Sequence, residues 1–364
     1  MALSKIEAAS VNGLGYGFKN RIINGDMRID QRNAGASVSG QGFAADRFCS
    51  FNQTDGAITS QQVSDAPAGF NYSYKITVTT ADTSLGTVQY MELRQLIEGY
   101  NVADLGWGTA SAKTVTLSFW VKSSLTGAFG GSLMNSSVNR SYPFTYTINA
   151  ANTWEYKTIT VSGDTTGTWE KTNGNGMFLM LNLGAGTDFQ GTANAWAASR
   201  KQTVSGAVSL IGTLNATWQI TGVQLESGPV ATEFDYRPYG AEFSLCQRYF
   251  QTNIPYGTAP ANGLSTYIST VMNAYSTGGG YGSWITFSTV MRATPTTFTF
   301  YKPSASVGAD GQWVYYTGTW VSFTTTGTAQ AAPTGFAIEA VKGSAFTSNL
   351  AYIMLGSYTA SAEL

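Results

Sequence analysis

The stretch KTVTLSFWVKSS (residues 113–124) places Val115, Leu117, Phe119 and Val121 on one face and Thr116, Ser118, Trp120 and Lys122 on the other. That period of two is the signature of a strand with one face in a core. From Ile22 to Arg237 such runs recur, punctuated by Gly, Asn, Asp and Ser, a pattern typical of a sandwich or barrel. The clearest are TVQYMELRQLI (87–97), PFTYTINA (143–150), TWEYKTITVSG (153–163), GMFLMLNLG (176–184) and TWQITGVQLESG (217–228). With 41 Gly and 20 Tyr, the composition suits pleated, half-buried surfaces joined by tight turns. The expected fold class is all-β: an N-terminal jelly-roll sandwich followed by a smaller C-terminal β-sandwich-like domain.

RPYG at 237–240 interrupts the pattern, because Pro supplies no ladder donor and Gly permits an unusual turn. The expected organisation is an N-terminal docking arm at 1–19, a jelly roll at 20–240 and a C-terminal β-domain at 241–364. In the last, AEFSLCQRYFQTN (241–253) reads as a short helix or bend leading into a strand, followed by SWITFSTV, TTFTFYKP, QWVYYTG and AYIMLGSYTA. The arm, interrupted by Gly13, Gly15 and Gly17, is expected to order only against a partner. STGGGYGSW (276–284) has no Lys-Ser/Thr of a phosphate loop and is expected to be a plain loop.

The chain contains no histidine, which excludes imidazole-based triads and the commonest transition-metal ligand. A net charge of −1 with 11% charged residues leaves no basic surface for nucleic acid. No apolar run is long enough to span a bilayer, and MALSKIEAAS lacks the apolar core of a secretory signal. Synthesis in a cytoplasm without membrane insertion is therefore expected. Cys49 and Cys246 are too few for a disulfide framework, so whether they are bridged stays open. Glycosidase chemistry needs only two carboxylates, but Glu92 and Glu98 would lie about 20 Å apart on one strand, too far for acid–base pairing. The expectation is that the chain is not an enzyme.

NRIINGDMRIDQR (20–32), GFAADRFC, LSFWVKSS, WEYKTITVSGD and above all VQLESGPVATEFDYRPYGAEFSLCQRYFQ resemble a family of phage tail-fibre and virion structural proteins. In that family a jelly roll similar to carbohydrate-binding modules precedes a smaller C-terminal domain. The resemblance spans about residues 18–252, and MLGSYTASAEL resembles the ending of many such proteins. It implies that the first strand neighbours the VQLESG strand, with Asn24–Gly25 turning out of it. Asp26, Arg28, Asp30 and Arg32 would be structural, and Asp46–Arg47 a fold-specifying pair. Related sugar-binding jelly rolls often hold calcium near this junction, which makes Asp26 and Glu226 candidate oxygen ligands; no other cofactor is implied.

The implied function is a virion structural protein: a tail fibre or receptor-binding protein attaching to host surface polysaccharide. The alternative is a head decoration or tail-attached spacer without receptor. Expected partners are two further copies in a homotrimer, and a tail or capsid protein reached through the arm. Sugars stack on aromatic faces, so exposed aromatics near amides and glycines are the candidate ligand residues. Trp107, Trp169 and Trp196 lie in small-residue loops, with Trp120 a further candidate on its strand's second face. In the C-terminal domain the candidates are Tyr275, Tyr281, Trp313 and Tyr316.

Overall fold

The computed structural model describes residues 18–304, 308–341 and 346–364. Most of the expected docking arm, residues 1–17 with its three glycines, lies outside the described residues. In chain order the first part forms β1 (Val38–Ser39), β2 (Gly42–Ala45), β3 (Phe48–Asn52), β4 (Ala57–Val63), β5 (Ser73–Thr80), β6 (Tyr90–Glu98) and β7 (Val115–Ser123). It continues with β8 (Gly127–Met134), β9 (Ser141–Ile148), β10 (Glu155–Val161), β11 (Asn175–Ala185), β12 (Gln190–Gly191), β13 (Thr203–Val204) and β14 (Thr217–Ser227).

Two six-stranded antiparallel sheets face each other. The first runs β1-β4-β5-β14-β7-β10 and the second β2-β3-β6-β11-β8-β9. The alternation read in β7 is realised: Val115, Leu117, Phe119 and Val121 are fully buried against residues such as Leu93, Phe129, Phe144 and Leu181. Each such side chain contributes roughly 1.5–3 kcal/mol on leaving water. Trp120 is left on the outer face, opposite Tyr156 of β10. Between β11 and β14, residues 186–205 form a flap over the outer face of the second sheet, braced by the short parallel pair β12–β13.

The opening segment departs from expectation. Residues 20–26 lie beside β14, with Arg21 N–H donating to Leu225 O and Val223 N–H to Gly25 O, yet form no strand. The Asn20 amide replaces the ladder, donating to Val223 O and accepting from Leu225 N–H. Asn24 adopts φ 59°, and its side chain bonds Ile29 and Asp46 backbone atoms. Side-chain amides thus do here what backbone pairing does elsewhere.

A helix at Tyr239–Gln247 leads into β15 (Phe250–Thr252), followed by β16 (Ile268–Ala274), β17 (Gly279–Thr286), β18 (Thr297–Tyr301), β19 (Val314–Tyr316), β20 (Trp320–Ser322), β21 (Thr325–Ala332), β22 (Gly335–Val341) and β23 (Ala351–Ser361). They form one antiparallel sheet, β20-β19-β23-β16-β17-β22-β21, with β15 and β18 pairing the far end of β23. Its separate core contains Met272, Trp313, Tyr315, Phe336, Ile338 and Met354. The glycine run expected to be a loop is largely strand β17. A Cβ on Gly282 would sit 2.1 Å from Met354 Cε, so glycine there serves close packing within the sheet.

The two cores meet at a small cluster of Ile23, Ile29, Cys246 and Tyr249, clasped by charge. Glu98 accepts from Arg248 Nε (2.9 Å), Arg248 Nη2 (2.6 Å) and Tyr249 OH (2.7 Å). Arg32 joins Asp46 to Glu363, each at 2.8 Å. Asp46 and Arg47 do not pair with each other: Asp46 holds Gln31 and Arg32, while Arg47 binds Glu363 and Leu96 O and lies over the Tyr249 ring. Both cysteines are buried and free.

Candidate glycan-binding surfaces

Three of the tryptophans expected to be ligand platforms converge, but as packing. Trp107 meets Trp169 at 4.7 Å and Trp196 at 5.3 Å between ring centroids, all edge-to-face. Their indole N–H groups donate to Lys113 O, Asp164 Oδ2 and Ser162 O respectively. Trp107 and Trp169 are buried, at 2% and 6% exposure, so neither offers a free ring face. Loop composition suggested exposure; the physical reason for burial is that each ring fills the space the others leave. Trp196 is only partly buried and borders a cleft under the flap.

Trp313 is also corrected: it is fully buried, donates to Ser357 O and anchors the C-terminal core. Tyr275 and Tyr281 are about half exposed and lie 4.7 Å apart. Tyr316 is exposed beside Trp320. With Val271, Ile353 and Trp284 they leave a broad, flat face of the C-terminal sheet apolar and open. Flatness gives a sugar no walls, although it suits contact with another protein surface.

A walled cleft of about 750 Å³ lies instead on the outer face of the first sheet. Its floor is Trp120, Ser118 and Gly222, with Tyr156 beside Trp120 at 5.4 Å and 44% exposed. One wall is Phe70; the other is the segment Ala231–Tyr236, carrying Phe234 and Tyr236. The three wall rings contact one another at 4.8–5.6 Å, and Tyr236 OH ties the walls by donating to Gly69 O. A β-bulge in β14 makes room: Gly222 has φ +62°, and a Cβ on it would lie 2.7 Å from the Phe70 ring.

Glu226, a candidate metal ligand, anchors this wall. Its carboxylate accepts from Thr232 N–H (2.9 Å), Thr232 Oγ1 (2.7 Å) and Gln224 Nε2 (2.8 Å), and Gln224 Oε1 accepts from Asp235 N–H. Asp26 is ion-paired with Arg28 at 3.1 Å; burial raises its carboxyl above the usual range, and Arg28 opposes that rise. Carboxylates already saturated by protein donors or paired with a guanidinium do not fit a calcium ion. Among the described residues no three acidic, Cys or His side chains form a metal-ligand group.

Beside the cleft, Lys122 pairs with Asp65 and lies 5.1 Å above Trp154. The hydrogen bond from Lys122 holds Asp65 below its ordinary carboxyl range. Trp154 precedes Tyr156 by two residues, so the two sit on one side of the chain about 7 Å apart. Tyr156, Phe70, Phe234 and Tyr236 were not singled out in the sequence. The available signal was the cross-strand alignment of the WEY run with SFW.

No protein-family profile and no curated protein matches the chain. Among solved structures it is similar to a putative sugar binding protein from Bacteroides thetaiotaomicron, at 12% identity and TM-score 0.33, covering 58% of this chain and 100% of that one. A carbohydrate-binding module, TmCBM61, solved with β-1,4-galactotriose, is similar at 8% identity and TM-score 0.28, over 58% and 99%. The enzymatically active domain of tailspike protein 4 of bacteriophage CBA120 is similar at 14% identity and TM-score 0.28, over 57% of this chain and only 21% of the tailspike.

Proposed function

We propose that the chain is a non-catalytic glycan-binding protein of a phage particle, a tail fibre or receptor-binding protein that seats host surface polysaccharide in the Trp120 cleft. The observation that carries the glycan reading is the pairing of solvent-facing Trp120 and Tyr156 on the floor of a walled cleft whose walls are themselves aromatic. A sugar ring has an apolar face for stacking and an equatorial belt of hydroxyls. The cleft matches the first with its rings and the second with Ser118 and Glu233. Its volume suits a few sugar units, and three copies in a trimer would add avidity to weak single sites. The flat apolar face around Val271 and Ile353 supports the expected self-association.

Trp120→Ala is expected to weaken binding to purified host polysaccharide by about 2 kcal/mol, roughly thirtyfold in Kd, with little change in Tm. Unchanged binding would remove this cleft from the reading. For the virion role, immunogold label against residues 254–364 is expected around the tail. Label spread over the capsid would favour the decoration alternative, and absence of label from particles would refute both.

A further inference from the structure

Beneath the flap lies a second concavity, on the opposite sheet from the Trp120 cleft. It measures about 910 Å³ and is bordered by Ala128, Thr145, Thr192, Trp196, Lys201 and Ser205. Thr145, which lines it, begins a cross-strand row that continues under the flap. Thr145 pairs with Gly130, Gly130 with Asn182, Asn182 with Glu92 and Glu92 with Phe51. Residues paired in this way share a face, so the row runs from the open cleft to a covered end at Glu92.

The flap closes directly onto this row. A Cβ on Gly130 would lie 2.0 Å from Thr203 Oγ1, so the missing side chain is the notch in which Thr203 sits. The covered end is polar and incomplete. Gln202 is fully buried, and neither its Oε1 nor its Nε2 has a partner. Thr203 Oγ1, Asn182 Nδ2 and both Glu92 oxygens are likewise buried without hydrogen bonds. Arg94 approaches Glu92 only to 3.7 Å, and Arg200 stacks at 4.8 Å over both Tyr90 and Phe189. Buried donors and acceptors are normally satisfied, so a group of them left open on the row and on the flap that covers it points to something that satisfies them.

The chemistry of the row narrows the class of occupant. A cation is disfavoured by the two guanidinium groups beside Glu92, and an anion by Glu92 itself. Glu92 and Gln202 Oε1 call for donors, while Asn182 Nδ2 and Gln202 Nε2 call for acceptors. A neutral polyhydroxyl ligand offers both from each hydroxyl. We propose that the Thr145–Glu92 row and the flap form a second saccharide site, in which hydroxyls of a neutral sugar engage Gln202, Thr203 and Asn182 while the flap closes over it. The site is separate from the Trp120 cleft and extends the glycan-binding reading to a module with two faces.

The test uses the full chain and a printed array of neutral oligosaccharides, with titration calorimetry of the strongest hits on parent, Trp120→Ala, Gln202→Leu and Thr203→Val. The expected result is a sugar whose binding survives Trp120→Ala and falls at least tenfold in Gln202→Leu and Thr203→Val, both still folded by circular dichroism. If Gln202→Leu fails to fold, Thr203→Val alone decides. Loss of all binding in Trp120→Ala would overturn the second site and keep the first. Flap variants that bind as the parent and melt higher would identify the open groups as water-filled packing, again overturning the second site. No binding by the parent on the array would overturn both.

Discussion

Replacing Glu92 by Gln removes one charge from a buried polar position of the jelly roll without changing its shape. Glu92 is 1% exposed, on β6, with Asn182 beside it on β11 and the flap above. Desolvation pushes its carboxyl from 4.5 to about 7, against the pull of Arg94 and Arg200. Between those values the folded chain keeps a proton that the unfolded chain has released. Stability is therefore greatest below the unfolded value and falls as pH rises through the folded one. At about 1.4 kcal/mol for each unit of difference, the loss approaches roughly 3 kcal/mol once both states are ionised. For a domain of this size that corresponds to a Tm change of about 6–12 °C. Glu92→Gln should melt close to the parent near about pH 4.5 and above it by that amount near about pH 8. Thermal melts followed by circular dichroism across this range read the effect directly. Asp26 and Asp30, also raised by burial, titrate in both proteins and cancel in the difference. Parallel profiles for parent and variant would show that the folded chain solvates or pairs the carboxylate, and the reasoning would fail.

The losses expected for Trp120→Ala and for the flap variants are set by binding, and their Tm values should hardly move. Glu98→Gln should act oppositely, on stability and not on either cleft. It breaks a buried carboxylate away from Arg248 and Tyr249, and because Arg248 is about a third exposed the cost should be about 2–4 kcal/mol, near the low end for buried pairs. Unfolding followed separately by Trp fluorescence and calorimetry should then resolve two transitions; one unchanged transition would show that the clasp does not couple the cores.

Much of the fold was legible because strand alternation is a local property. In β7 the apolar face read from the sequence is the face that is buried, and the runs named at 153–163, 176–184 and 217–228 contain β10, β11 and β14. The failures come where side chains substitute for backbone. Asn20 holds residues 20–26 beside β14 without a ladder and Asn24 turns the chain out of them, and nothing in the alternation of that stretch announces it. The glycines of β17 read as a loop because glycine is permissive; only the folded sheet shows that Met354 of β23, reaching across β16, occupies the space a side chain on Gly282 would need.

The site was legible in half. A tryptophan on the polar face of a strand, as at Trp120, is a local anomaly and can be seen in one chain segment. Whether a loop tryptophan is a platform depends on what other loops bring to it, which is why Trp107, Trp169 and Trp196 read as three candidates and fold as one packed cluster. The wall of the cleft is a longer-range construction still: Phe234 and Tyr236 stand where they do because Gln224 and Glu226, on the outer face of β14, hold the backbone of the segment that carries them. Glu226 was a candidate metal ligand because the family resemblance implies calcium near the junction of β14 with the opening segment, where a hard carboxylate oxygen would suit it. In the fold its three donors are all protein, and it holds the segment that carries the two aromatic rings of the cleft wall.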